Sequence, residues 1–555
     1  MEPSAGHGSR PRTERSRPVI EGTVSSAHPA RRATLGDQLR RNAARFPDRE
    51  AIVVPAAGGV SRRSVTYAAL DAGANRLASA LAARGVAVGD VVALMGRNTP
   101  ELIQAFWAAM KLGAAVTGVN YTFTAREMAY QLRHSGAKAV VAEDAFAERV
   151  DGLDDPLPDL ALRIVDDRTG AGAPQGWVRL ADLDAEGSPL EPASEVTEDT
   201  LAILPYTSGT EALPKAVMVP HRNYLTSMIP AYTTGIGLVE GDVWYYVLPL
   251  HTIAGMGMQI ALLTLANTIV LPGALAPGDA LAVLGAEGVT VLGQTPTFYL
   301  QLIGAPAFAG TDLSRLRRAI TYGGTMPQAM FDAFAEAAPS LEWVTLWSQS
   351  ELTQTPTIGR FRSPDDIPGG DATWIGRPTA ELEVRVVDDD DRDVGPGVEG
   401  ELLCRSPGVM AGYHRDPERT AAVLRGGWLH TGDLVRHDGA GNLFFVDRRK
   451  DVIKTGGMNV SSVEVERVCY QFPAVQEVAV VGLADAYWSQ AVTAFVVPRA
   501  GSEVDPDALV AHCRAHLAAY KVPKEVRVVE ALPKDTQGKI LKRELRRRAE
   551  AGGPA

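Results

Sequence analysis

Residues Tyr206–Lys215, "YTSGTEALPK", gather two threonines, a serine and a glycine ahead of a lysine. Hydroxyls and backbone N–H groups packed into one turn wrap phosphate oxygens, and a nearby lysine neutralises their charge. Thr207, Ser208, Gly209, Thr210 and Lys215 are therefore candidate phosphate contacts. Three features cut against this. Glu211 sets a carboxylate in the middle, and Ala212 and Ala216 stand where a bare backbone is more usual. A Walker-type loop needs G-x-x-x-x-G-K-[ST], yet Pro214 precedes Lys215 and alanine follows it. On these ten residues alone, a plain Ser/Thr/Gly loop is the better reading.

The bulk properties narrow the classes. A chain of 555 residues with 46% hydrophobic composition supports a large core and more than one domain. A net charge of -11 argues against an electrostatic nucleic-acid binder. Cys404, Cys469 and Cys513 are scattered, with no C-x-x-C pair. That pattern argues against structural zinc or a disulfide framework and fits a cytoplasmic protein. The most apolar run, Met256 to Leu271, carries Gln259, Thr264 and Asn267 and falls short of the ~20 residues of a membrane span. It reads as a buried helix running into a strand. The basic, Pro/Gly/Ser-rich residues 1–31 read as a disordered arm, with an organelle-targeting peptide as the alternative.

From about Leu35, helical and strand patterns alternate. "TYAALDAGANRLASALAARG" precedes "DVVALMG", "ELIQAFWAAMKLGA" precedes "AVTGV", and "AREMAYQLRHSGA" precedes "KAVVAE". Repeated units of this kind predict an α/β domain with mostly parallel sheets covered on both faces. After Gly370 the alternation of "ELEVRVVDDDDRDVGPGVEGELLCRS" predicts a β-rich part with antiparallel strands. Asp388 to Asp391 are consecutive and cannot converge on one ion, so they read as a solvated turn. From about Lys450 a compact α/β unit follows. The expected domains are 32–447 and 448–555.

Seven further segments fall into place around the opening loop. They are "YGGTMP" from Tyr322, "WSQSE" from Trp347, "IGRP" from Ile375, "GYHRDPERT" from Gly412, "GWLHTGDL" from Gly427, "VDRRKDVIKTGGMNVSSVEVE" from Val446 and "PKDTQGKILKREL" from Pro533. Together with "TSGTxxxPK" they resemble the adenylate-forming superfamily of acyl- and aryl-CoA synthetases, adenylation domains and luciferases. The resemblance covers nearly all of the chain from Leu35 to Arg548.

The resemblance implies roles residue by residue. Tyr322, Gly323 and Gly324 form the adenine-side loop, and Trp347 stacks on the adenine. Glu351 binds Mg²⁺, a hard cation that takes carboxylate oxygen. Ser350 keeps a hydroxyl for the α-phosphate, and Asp433 accepts from the ribose hydroxyls with Arg448 beside it. Lys539 stabilises the charge that builds as pyrophosphate leaves. Lys450 is the hinge about which a small C-terminal domain turns, bringing Lys454, Gly456 and Gly457 toward the acyl centre for coenzyme A.

The acceptor pocket departs from the pattern. "LPLHTIAGMGM" either sets His251 one place early or replaces the usual histidine with Thr252. Ser348 replaces the motif glycine, and Leu346 precedes Trp347. Both add bulk or polarity, so a short, branched or aromatic acid is expected. The implied activity is ATP-dependent formation of an acyl-AMP, then a CoA thioester. Three alternatives stay open: loading of a carrier-protein thiol, activation of nitrite to diazotise an aromatic amine, and a non-catalytic nucleotide-binding relative. The expected partner is a small-molecule acid, and the protein is a monomer or homodimer.

Overall fold

The computed structural model describes residues 30–207, 214–321, 326, 328–485, 487–535 and 538–550. Almost all of the expected N-terminal arm lies outside these residues. The helix–strand units appear as expected. Thr99 caps the helix Pro100–Leu112 by accepting from Leu102 N, and Gly113, at φ 80°, ends it. The next helix, Ala125–Ser135, opens with a Thr124/Glu127 capping box and stops at Gly136. Each helix hands the chain to a buried strand. Val91–Met95, Ala115–Gly118, Ala137–Glu143 and Leu162–Asp166 pair in parallel.

A second sheet begins at the other side of the core. Glu50–Val54 pairs with Arg63–Thr66 antiparallel and with the distant Thr268–Val270 in parallel. Parallel pairing continues through Val243–Tyr245, Val291–Gln294, Arg318–Thr321 and Glu342–Trp347. The switch to antiparallel pairing comes at Thr357–Phe361, ahead of the composition change after Gly370. The reason is geometric: the short connection from Trp347 to Thr357 holds only one 3-10 turn and cannot make a parallel crossover. Met256–Leu271 is the helix Ile253–Thr264 followed by the strand Thr268–Val270. No described helix is long and apolar enough to cross a membrane.

The chain after Ile453 builds a third, small sheet with its own core of Val465, Val480, Val496 and Leu509. There Cys469 and Cys513, far apart in sequence, bring their sulfurs to 3.6 Å as free thiols. Ser462 donates through its backbone N (2.6 Å) and hydroxyl (2.8 Å) to Asp447 Oδ2, and Arg467 lies 3.5 Å from Asp371. These contacts tie the small unit to the large one. In the Asp388–Asp391 turn, Asp389 pairs with Arg449 and Asp390 with Arg392, so the carboxylates diverge.

Candidate active site

Two sheets contribute to one cluster. Lys215 opens the strand Lys215–Pro220, whose Val217 pairs with Tyr413 on the neighbouring short strand. Glu351 sits on a single 3-10 turn, Ser350–Leu352, just past the carboxyl end of the strand Glu342–Trp347. Such strand ends are where open α/β sheets place ligands. Lys215 Nζ donates to Glu351 Oε1 at 2.7 Å, and Tyr413 Oη donates to the same oxygen at 2.7 Å. Lys215 also donates to the Tyr413 hydroxyl. Burial would raise the Glu351 pKa, but the Lys215 charge and the hydrogen bonds from Lys215 and Tyr413 outweigh it and hold it below the ordinary value. A cavity of about 230 Å³ opens onto Lys215, Gln349, Glu351, Tyr413, Arg425 and His430.

Asp433 anchors the neighbouring side. It lies directly opposite Arg448 on paired strands, with Arg448 Nε 3.4 Å from Oδ1. Its Oδ2 accepts from Trp347 Nε1 at 2.9 Å and from Gln349 Nε2 at 2.8 Å. Trp347 is 8% exposed and packs with Leu352, Ile375 and Leu429. Ser350 is half-buried one residue before Glu351.

Lys539 ends a tight turn in which its backbone N donates to Asp535 Oδ1 at 2.9 Å, with Gly538 at φ 80°. Its residue surface stays exposed. Crowding by the surrounding protein, the larger effect, and the Arg448 guanidinium push its pKa down, opposed by Asp535, Asp433 and Asp451. Lys450 is pushed down by desolvation and Arg448, and it also feels Lys539 and Lys215. Lys539 and Lys450 thus both lie near the Arg448 and Asp451 charges. Lys454, Gly456 and Gly457 lie apart from that cavity. Lys454 lines a second cavity with Lys450, Gln490 and Arg546, and the two glycines turn the hairpin between Ile453–Thr455 and Met458–Val460 at φ 55° and 79°.

In the acceptor region, Thr252 caps the helix Ile253–Thr264 by accepting from Gly255 N. His251 is buried edge-on to Tyr121, and burial pushes its pKa down to about 4. Leu346 is half-buried, and Ser348 donates to the Thr355 carbonyl at 3.0 Å. Ser208, Gly209, Thr210, Glu211 and Ala212, with Tyr322, Gly323 and Gly324, lie outside the described residues. Ala216 belongs to the strand beside the loop. It pairs with Tyr206 in extended backbone, which any residue adopts.

Tyr413 and Gln349 went unassigned from sequence. Both stand inside motifs that were recognised, which was the available signal; their contacts with Glu351 and Asp433 are made only by the fold. The donor set suits a magnesium nucleotide. Among the described residues no three His, Cys, Asp or Glu side chains cluster as a metal cage. Mg²⁺ characteristically takes one or two carboxylates and completes its shell with phosphate and water, and Glu351 supplies such an oxygen.

The model of the AMP-binding enzyme family matches residues 39–414, and that of the AMP-binding enzyme C-terminal domain matches 464–539. The chain belongs to the AMP-binding enzyme family. Similar members include a feruloyl-CoA synthase from Amycolatopsis sp, 34% identical over 91% of this chain and 98% of that relative. An indoleacetate–CoA ligase from Aromatoleum aromaticum is 31% identical over 92% of this chain and 97% of its own. Among solved AMP-binding enzymes, the anthranilate CoA ligase AuaEII in complex with anthranoyl-AMP superposes with a TM-score of 0.82. It shares 27% identity and covers 94% of this chain and 98% of its own.

Proposed function

We propose that this AMP-binding enzyme activates a carboxylic acid with ATP and transfers the acyl group to coenzyme A. The observation that carries this is the convergence of Lys215, Glu351 and Tyr413 on one cavity, with Asp433 and Arg448 alongside. In the first half-reaction a carboxylate oxygen of the acid bonds to the α-phosphorus of ATP, and the bond to pyrophosphate breaks. Lys215 and Lys539 offset the negative charge of the phosphates, and Asp433 accepts from the ribose hydroxyls. Mg²⁺ held by Glu351 supplies further charge neutralisation when bound. In the second half-reaction the thiol sulfur attacks the acyl carbon, loses its proton, and AMP departs.

Lys450 serves as the pivot between the two units, taken as 32–447 and 448–555. Turning there withdraws Lys539 and presents Lys454, Gly456 and Gly457, a standard hinge mode. A short, branched or aromatic acid is favoured by the bulk of Leu346 and Ser348 beside the pocket. The feruloyl, indoleacetate and anthranilate names of the relatives support the aromatic option.

The test is release of AMP and pyrophosphate from ATP, Mg²⁺ and a panel of acids, with and without CoA. Release of AMP that depends on both acid and CoA supports the reading. Release that needs nitrite and an aromatic amine but no CoA overturns it, as does transfer confined to a carrier protein. ATP binding without any release would mark a non-catalytic relative.

A further inference from the structure

We propose that the acid pocket holds a hydroxyl group of the substrate between Tyr224 and Gln354, so that the preferred acids carry a hydroxyl remote from the carboxylate. This rests on the acid-activation reading above.

The helical stretch from His221 to Ile236 is broken by two π turns, Tyr224–Met228 and Tyr232–Ile236. Turns of this kind re-aim side chains and recur at functional sites. Tyr224 lies in the first of them. It is wholly buried, and its hydroxyl has no hydrogen-bond partner among the described residues. Leaving a buried hydroxyl unsatisfied costs about 1–3 kcal/mol, which a ligand group can recover.

The facing group comes from the chain just past Glu351. Thr353 (φ 51°) and Gln354 (φ 58°) are consecutive non-glycine residues in left-handed backbone, a conformation retained where the surroundings enforce it. Three bonds enforce it here. Asn223 donates to Thr353 Oγ1 at 3.0 Å, Ser227 and Thr355 share a hydroxyl bond, and Ser348 donates to the Thr355 carbonyl. The turn presses the Gln354 carboxamide against Gly257, in the helix that Thr252 caps. A Cβ on Gly257 would stand 1.9 Å from Gln354 Oε1 and 3.3 Å from Tyr224 Oη. Both oxygens thus lie against Gly257 without bonding each other, and Gln354 Oε1 is also buried and unsatisfied among the described residues.

The chemistry of the pair selects the guest. Oε1 only accepts, whereas the phenol can donate. A hydroxyl placed between them donates to Gln354 and accepts from Tyr224. An alkyl tail would leave both unsatisfied, and an anionic group would meet the carboxamide oxygen.

Matched acids test this: 4-hydroxycinnamate against cinnamate, and 4-hydroxyphenylacetate against phenylacetate, by kcat/KM of pyrophosphate release. The native protein should favour each hydroxylated member about 10- to 100-fold, the range expected for a satisfied buried polar pair. Tyr224→Phe and Gln354→Met should each bring that ratio toward one. The ratio is internal to each variant, so the second variant decides the matter if the first does not fold. Equal turnover of both members by the native protein, or a preference that survives both substitutions, overturns the subsite and leaves water as its occupant. No release from any acid overturns acid activation itself, and the subsite with it.

Discussion

Trp347 donates its indole N–H to Asp433 Oδ2 at 2.9 Å, so the residue expected against the adenine also orients the carboxylate expected at the ribose. Trp347→Phe keeps an aromatic face and deletes the donor. A hydrogen bond to a charged acceptor is worth about 1.5–3 kcal/mol, which translates into a rise of roughly 10-fold or more in the KM for ATP. Steady-state kinetics at saturating acid measure it. An unchanged KM would show that Gln349 and Arg448 hold Asp433 by themselves.

Lys215→Met removes the charge that keeps Glu351 ionised. The Glu351 pKa lies below its unfolded value in the native protein, so its contribution to stability is complete above that unfolded value and is lost as pH falls through the lowered one. The substitution should therefore destabilise by up to about 3 kcal/mol at pH 7, the lower end for breaking a buried pair. The difference should shrink toward pH 4, where Glu351 in the variant is already protonated. Denaturant unfolding at the two pH values checks the sign.

His221 and His251 act in a second acid window. Burial pushes both down to about 4. Each folded-state value lies below the unfolded one near 6.5, so the stability present above pH 6.5 is lost as pH falls toward 4. His221 accepts from the backbone N of Leu35 at 3.2 Å, which requires an unprotonated Nδ1. His221→Gln, lacking a group that titrates there, should flatten the decline in Tm between pH 6.5 and 4.

Asp371 joins the two units through Arg467 at 3.5 Å while pairing with Arg436 of its own sheet. Arg467→Ala should slow acyl-AMP formation about 2- to 5-fold, as expected for a partly exposed pair. Thioester formation from pre-formed acyl-AMP should not fall. Equal loss in both half-reactions would assign Arg467 to folding.

Lys539→Ala should lower acyl-AMP formation by ~10²–10³, the usual loss for a preorganised electrostatic partner. Transfer from pre-formed acyl-AMP should be spared. Rapid-quench measurement of each half-reaction separates the two.

The helix-then-strand periodicity was legible in the sequence, because it is written within a few neighbouring residues. The family motifs named Lys215, Glu351, Asp433 and Arg448, of which the fold pairs the first two and the last two. What escaped were relations made by sheet order. Trp347 and Asp433 are 86 residues apart and meet only because the strands carrying them are brought together in one sheet. Nothing local in the sequence showed how far Trp347 is enclosed: tertiary packing buries the ring and leaves its polar neighbours Ser348, Gln349 and Ser350 half-exposed. Cys469 and Cys513 met for the same reason, through two helices packed on the small sheet.

The strand Glu50–Val54 has its parallel neighbour far downstream: Thr268 Oγ1 donates to the Glu50 carbonyl across 218 residues of chain. During synthesis that edge of the sheet has only the Arg63–Thr66 hairpin arm to lean on until Thr268 leaves the ribosome. Pairings of such separation slow folding and leave apolar strands open to wrong partners. The strand Glu50–Val54 therefore depends, for its own completion, on residues made long after it.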